Sequence, residues 1–493
     1  MKLYRFKGGV HPEAHKVATG YKCITPFPMP ARLYLPVQQH IGAPANPEVS
    51  IDQHVLKGER LAGSQGAISA PIHAPTSGTI ADITDCTAPH PSGLAVRTII
   101  LEPDGKDQWV TLQGVKTPFL MDPDEVAARV GAAGIVGLGG ATFPSAVKLN
   151  LGKNNKVYTL IINGSECEPY LTCDDLLMQS RAEKIVDGIR IMLHGLQAPR
   201  ALIAIEDNKH TAIKAMQKAC KNTANVDVVV VPTLYPMGSE KQMIKTLTGM
   251  DVPAGKRSID IGVLVHNVGT AFAVHRAIRF GEPLVSRIVT MGGGAILNPQ
   301  NLEVPIGTHV SDVIEFCGGF KEKPERILMG GPMMGQLLPS TDVPIVKGTS
   351  GIIALTKNEI TQHHTMPCIR CGSCITACPC GLLPLEMANR ARKGDIEGAV
   401  NFGLMDCISC GSCSYVCPSY IPLVQYFNFA KGEVVARQKE QQHQEQTKIL
   451  AEKRTERIER EKKEKAEAAV KRKAERAAKQ AAEEAKKESE AVS

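Results

Sequence analysis

With 493 residues, the chain is long enough for several domains, each burying a core of its own. Its hydrophobic content of 43% is ordinary for a globular protein, and its longest apolar runs, VDVVVVP and IGVLV, are strand-length, which excludes a membrane span. The net charge is +7, and basic residues are heavily represented in the C-terminal tail; such a balance suits nucleic acid or an anionic membrane surface, and the cysteine and glycine motifs filling the middle of the chain favour a membrane complex, with no nucleic acid expected.

The N-terminal MKLYRFKGGVHPEAHK has no apolar leader stretch, so the mature chain is expected to begin here. Residues 1–30 read as an arm punctuated by the turns KGGVHP and PFPMP. Short strands follow over 31–112. APTSGTIADI and LAVRTIILEPDG have the strand-and-turn pattern of lipoyl and biotinyl carrier domains. A carrier places a modifiable Lys at its hairpin tip; here Thr76, Ser77 and Gly78 stand there, so a barrel-sandwich module without a swinging cofactor is expected.

From residue 120 to 285 helices and strands alternate, as in a Rossmann-like parallel sheet. Ligands of such sheets bind beyond the carboxyl ends of the strands. Four polar clusters fall at such ends. GLGGATFPSAVKL, Gly137 to Leu149, places backbone N–H groups before a helix, where a phosphate can sit, although a purely structural turn has the same pattern. NGSECEP, Asn163 to Pro169, follows the strand VYTLII; YPMGSEKQ follows VDVVVVP; HNVGT follows IDIGVLV. Each alone reads equally well as a capping turn.

Residues 286–355 read as two short strands, a PIG turn, an amphipathic helix and a strand returning through GGPMMG, and the series resembles a small β-grasp module. Met333 and Met334 there are expected to pack, with shielding of a cofactor as the alternative. Residues 356–431 hold the most specific signal, CIRCGSCITACP and then CISCGSCSYVCP. Each is CxxCxxCxxxCP, in which three thiolates hold one cubane and the fourth crosses to the other. Cys368, Cys371, Cys374 and Cys417 are thus assigned to one 4Fe-4S cluster, and Cys378, Cys407, Cys410 and Cys413 to the second. Zinc sites use CxxC pairs, and disulfides do not suit a chain without a leader. Cys380 is set aside by spacing. With Cys23, Cys86, Cys167, Cys173, Cys220 and Cys317 it is expected to be a free thiol, mostly packing, in a reducing compartment. The Lys/Glu/Ala-rich tail, 432–493, is expected to be a flexible, partly helical extension, with a docking helix as the alternative. The fold class is therefore multidomain α/β: barrel-sandwich, Rossmann-like sheet, β-grasp, α-helical two-cluster ferredoxin unit, and a helical or disordered charged tail.

The order of the four clusters resembles the flavin- and NADH-binding 51-kDa subunit of respiratory complex I, whose motifs run GRGGAGFPTGLK, NADEGEP, YxxGEE and NNVET. Adding the arm, the barrel-sandwich and the double cysteine motif, the chain resembles the RnfC family of Rnf (Rsx) ion-translocating electron-transport complexes over residues 1 to about 430. The resemblance implies FMN against Gly137, Gly139, Gly140 and Lys148, with Asn163, Ser165 and Glu166 also touching the flavin. It puts Phe143 on the adenine of NADH and Glu168 near the nicotinamide, while Gly238, Glu240, Asn267 and Thr270 match the last two motifs. Thr142, Ser165, Ser239 and His266 depart from the family pattern.

The same resemblance implies an NADH-oxidising or NAD-reducing electron-input subunit, peripheral on the cytoplasmic side of a bacterial inner membrane. It would pass electrons between NADH, FMN, two 4Fe-4S clusters and membrane partner subunits, with ferredoxin or another iron-sulfur subunit as a further candidate partner. Hydride transfer needs no catalytic acid or base, so none is named. The competing reading is an iron-sulfur adaptor without a working flavin site.

Overall fold

A computed structural model describes residues 2–153, 155–360 and 364–490. The first residue of the expected arm and the last three of the expected tail lie outside the described residues. The barrel-sandwich is built from two antiparallel sheets. In one, Leu33–Pro36, Ala95–Pro103, Gly78–Thr87 and His54–Val55 lie side by side; in the other, Asn46–Pro47, Arg60–Gly63 and Ile72–His73. The inward residues Leu33, Leu35, Ile80, Ile99 and Leu101 are fully buried, the period-2 pattern of a half-buried strand. Thr76 and Ser77 do not form an exposed tip. They are buried, and their hydroxyls donate to Asp107 (2.8 Å) and Asp104 (2.7 Å), so nothing could swing from this turn.

The central sheet is four-stranded and wholly parallel, in the order Val226–Val231, Ala201–Glu206, Thr159–Gly164, Val263–Asn267. Numbered along the chain the order is 3-2-1-4, which puts the topological switch point between Thr159–Gly164 and Val263–Asn267. One face, with Leu160, Ile162, Ile203 and Leu264, packs on helices Pro123–Ala132, Cys173–Leu196 and Val268–Phe280 through Val130, Ile189 and Val274. The other, with Ile161, Leu202 and Val265, is covered by Met243 and Leu247 of helix Glu240–Thr248 and by Leu3 and Phe6 of the arm.

The β-grasp sheet has six strands, and its edge strand, Thr25–Pro26, comes from the arm and pairs in parallel with Gln300–Pro305. The arm is therefore a strap rather than a string of turns. It also pairs Val10 with Tyr235 and hands the Gly9 N–H to the Ala377 carbonyl (3.0 Å).

The cysteine region is helical: Ser373–Ala377, Pro384–Arg392, Ile396–Asn401 and Ser412–Tyr415, with Gly394 in a left-handed turn between the middle two. The next helix, Leu423–Glu490, buries Leu423, Phe427 and Ala430 against Met387 and Ala391, then runs on exposed. No break divides the two-cluster unit from the tail. Ala, Glu, Lys and Arg all favour helix, and pairs such as Arg457 with Glu461 (3.6 Å) recur at i,i+4. Among the described residues no helix is long and apolar enough to cross a membrane.

Candidate flavin and iron-sulfur sites

The four polar motifs converge at the switch point. Asn163 and Asn267 stand opposite one another at the ends of adjacent strands. The Asn163 amide donates to the Gly238 carbonyl (2.9 Å), joining the second motif to the third, while its own oxygen receives the Ser165 N–H (2.9 Å). The Leu138 N–H donates to the Thr270 hydroxyl (3.0 Å), joining the first motif to the fourth. Lys148 donates to the Val265 carbonyl (3.0 Å) and lies 3.4 Å from Glu240. Asn267 caps helix Val268–Phe280 by accepting from Gly269 N–H (2.7 Å) and donates to Asp174 (2.6 Å).

The glycine loop is shaped for a ligand. Gly140 adopts φ +132°, and a Cβ there would meet nothing within 4 Å, whereas one on Gly139 would press on Asn267 at 3.1 Å. His266 Nε2, on the neighbouring strand end, is buried without a hydrogen-bond partner, and burial, then the Lys148 charge, push its pKa well below the usual value. An open glycine cradle, a lysine and an orphaned imidazole nitrogen fit a phosphorylated flavin. Thr270 shapes the loop through Leu138 rather than presenting its hydroxyl.

Glu166 has a different place from the one expected. Its carboxylate turns into the start of helix Cys173–Leu196, accepting from Asp174 N–H (3.0 Å) and Asp175 N–H (3.4 Å), with Lys209 at 3.7 Å. Behind it lies a buried charge network that local sequence does not signal. Lys16, from the arm, donates to the Glu166 and Leu171 carbonyls (2.5 and 2.7 Å). Burial opposes the charge of Lys209, yet Glu166 and Asp175 outweigh it and raise its pKa. Burial, then Glu166, push Asp174 up. Glu168 faces the other way, and burial lifts its pKa to about 7 against two backbone N–H donors from the GGPMMG loop.

The two cysteine motifs fold alike. Arg370 and Ser409 take positive φ (57° and 55°), as do Gly372 and Gly411 (77° and 82°). The Arg370 N–H points at Cys368 Sγ (3.3 Å) and the Ser409 N–H at Cys407 Sγ (3.4 Å). One cavity is lined by Cys407, Cys410 and Cys413 together with Cys378 from the first motif, and also by Leu382, Met387 and Phe427. Cys374 in turn feels the charges of Cys417 and Cys368. Burial, then repulsion from Cys407, Cys410 and Cys378, lift Cys413 to about 12. Four such thiols in one pocket carry thiolate charge only beside a compensating cation, as iron supplies.

The two sets differ in depth. Cys378, Cys410 and Cys413 are buried, whereas Cys368 and Cys371 are exposed. Cys410 belongs to an apolar cluster with Val10, Tyr235 and Ala377, on the flavin-motif side. Lys431, from the long helix, donates to the Cys407 carbonyl. Cys380 lies beside the buried set with its pKa lifted to about 11 by burial, then Cys378. Of the other free cysteines Cys173, Cys220 and Cys317 are buried, while Cys86 and Cys167 are half-buried and Cys23 is exposed.

Four stretches of the chain match known domains. Residues 4–106 match the RnfC barrel sandwich hybrid domain, 130–276 the Nuo51 FMN-binding domain, 288–337 the SLBB domain, and 367–421 the 4Fe-4S dicluster domain. The chain is 54% identical over 439 residues to the C-subunit of the ion-translocating oxidoreductase complex of Rhodobacter capsulatus, covering 89% of this chain and 85% of that one. It is 46% identical over 436 residues to the C-subunit of the proton-translocating ferredoxin:NAD(+) oxidoreductase complex of Clostridium ljungdahlii, covering 87% and 94%. A structure of an NAD+-reducing [NiFe]-hydrogenase overlays at 18% identity and a TM-score of 0.44, covering 66% of this chain and 63% of that one.

Fold and site together define an electron-transfer protein with an FMN-binding domain and a 4Fe-4S dicluster domain. More narrowly, the chain belongs to the RnfC family, the C-subunits of ion-translocating oxidoreductase (Rnf) complexes, and is an electron-transfer subunit of such a complex.

Proposed function

We propose that this subunit exchanges electrons with NADH at the switch-point site and relays them through the buried cysteine set, then the exposed set, to membrane partner subunits or a ferredoxin-like protein. The observation that carries this reading is the difference in depth: Cys410 packs against Tyr235 of the flavin domain, while Cys368 and Cys371 face outward. Bound FMN would supply the exchange between a hydride and single electrons. Gly137, Gly139, Gly140 and Lys148 would hold its phosphate side, Asn163 and Ser165 its ring side, with Glu166 bracing that turn through the helix start. His266 Nε2, short of a partner, would join them. Phe143, Glu168, Gly238 and Glu240 would receive NADH, with Asn267 and Thr270 fixing the loop behind. Cys368, Cys371, Cys374 and Cys417 would ligate one cluster and Cys378, Cys407, Cys410 and Cys413 the other. The Lys-rich helix suits a peripheral subunit on the cytoplasmic face, where anionic lipid would meet it.

The adaptor reading draws on one observation, that both Glu168 oxygens are already taken by Met333 and Met334 N–H groups. Fluorescence titration of the cluster-loaded protein with FMN separates the two. Saturable binding that weakens in Lys148→Ala supports the input subunit; no binding supports the adaptor.

A further inference from the structure

Tyr235 joins the flavin domain directly to the buried cysteine loop. It is 2% exposed, and its hydroxyl donates to the Cys410 carbonyl at 2.6 Å, across 175 positions of sequence. Its backbone exchanges two hydrogen bonds with Val10 (2.8 and 3.0 Å), and the adjacent Gly9 N–H reaches the Ala377 carbonyl, next to Cys378. Three residues on, Gly238 accepts from Asn163 and gives its N–H to Cys167 Sγ (3.4 Å). This short segment and the arm paired with it thus together touch the strand end where a flavin would sit and both chain stretches that supply the buried thiols.

We propose that Tyr235 is a positioning residue for electron transfer, holding the Cys407–Cys413 loop against the Asn163–Glu168 turn and setting the potential of the buried cluster through the Cys410 peptide. The inference rests on the cluster ligands and electron route proposed above. A single electron leaves the flavin site and is gained by the cluster; Tyr235 changes neither its redox state nor its protonation, and no bond is made or broken on it. The positive end of its O–H dipole faces the cluster loop, so it favours the reduced, more negative cluster.

The test is Tyr235→Phe in the full chain with both clusters loaded, read by a mediated dithionite titration with electron paramagnetic resonance, which needs neither flavin nor NADH. Iron content should be unchanged, one cluster should shift to a more negative potential, and the other should stay put. With FMN bound, reduction of that cluster should slow severalfold while reduction of the flavin by NADH keeps its rate. Site-specific 3,5-difluorotyrosine at this position, a stronger donor of nearly the same size, should shift the same cluster the opposite way. Unchanged potentials in both variants, or equal shifts of both clusters, would overturn the proposal. Failure of FMN binding or of NADH reduction in the unaltered protein would instead count against the proposed function and leave the dithionite result to decide on Tyr235.

Discussion

Glu168 accepts the backbone N–H groups of Met333 (3.0 Å) and Met334 (2.8 Å), one on each carboxylate oxygen. Gly331 makes this possible, since a Cβ there would lie 2.2 Å from Glu168 Oε2. An acid in the NGSECEP turn thereby pins the GGPMMG loop of the β-grasp unit, and the Met333 carbonyl in turn lies beside Gly411 of the buried cysteine loop. Met334 itself is exposed, whereas the Met333 side chain packs against the cluster of Val10, Tyr235, Ala377 and Cys410.

The pin should respond to pH. The folded pKa of Glu168 is raised from 4.5 to about 7, so its stability contribution is full below 4.5 and is lost as pH rises through 7. Opening of the GGPMMG loop returns the Glu168 carboxylate to water, which favours the ionised form. Hydrogen exchange of the Met333 and Met334 amides, corrected for intrinsic rates, should therefore speed up as pH rises through about 7. In Glu168→Gln that step should be absent.

Lys347 gives a pH effect of a different origin. Fully buried, it donates to the Pro71 and Gly134 carbonyls, both at 2.7 Å, and so ties the β-grasp return segment to the barrel-sandwich and the flavin domain. Burial lowers its pKa from 10.5 to about 7, so the cost of burying it is full below pH 7 and is relieved as pH rises toward 10.5. Urea unfolding of the wild type should gain about 2 kcal/mol between pH 7 and pH 9 from this group. Lys347→Met should flatten that slope, and should cost roughly 1–3 kcal/mol at pH 9 by stranding two buried carbonyls.

The cysteine assignment is tested by counting iron. Two cubanes carry about eight irons per chain. Cys380→Ser should keep them all, although Cys380 shares the cavity with the buried set. Cys378→Ser or Cys410→Ser should lose about half and leave the exposed cluster's resonance signal in place.

Asn267 joins the strand end to a helix start and to Asp174. Asn267→Ala removes the cap and leaves Asp174 without its amide donor, so thermal unfolding should report a loss of about 1–2 kcal/mol. FMN titration should show weakened binding in the same variant, since Gly139 packs on this side chain.

Much of this is legible in the chain itself. The grouping of Cys378 with Cys407, Cys410 and Cys413 around one cavity is expected from spacing, and the strands ending at Asn163 and Asn267 announce themselves as apolar runs followed by polar turns. What leaves no local trace is whatever joins distant positions. Lys16 meets Glu166 across 150 residues and Tyr235 meets Cys410 across 175, and neither contact imposes a period or a composition. Thr25–Pro26 is too short to read as a strand, yet it completes a sheet that begins 260 residues later at Ser286 (286 − 26 = 260). The role of Glu166 shows the same limit. A carboxylate after a strand suits a ligand and a helix start equally, and only the placement of Asp174 and Asp175 decides between them.

The most direct test of the electron-input reading is an anaerobic titration of the cluster-loaded, FMN-supplemented protein with NADH, followed by visible absorbance and electron paramagnetic resonance. The account predicts bleaching of flavin absorbance followed by the signals of reduced 4Fe-4S clusters. Clusters that dithionite reduces but NADH leaves unchanged would contradict it.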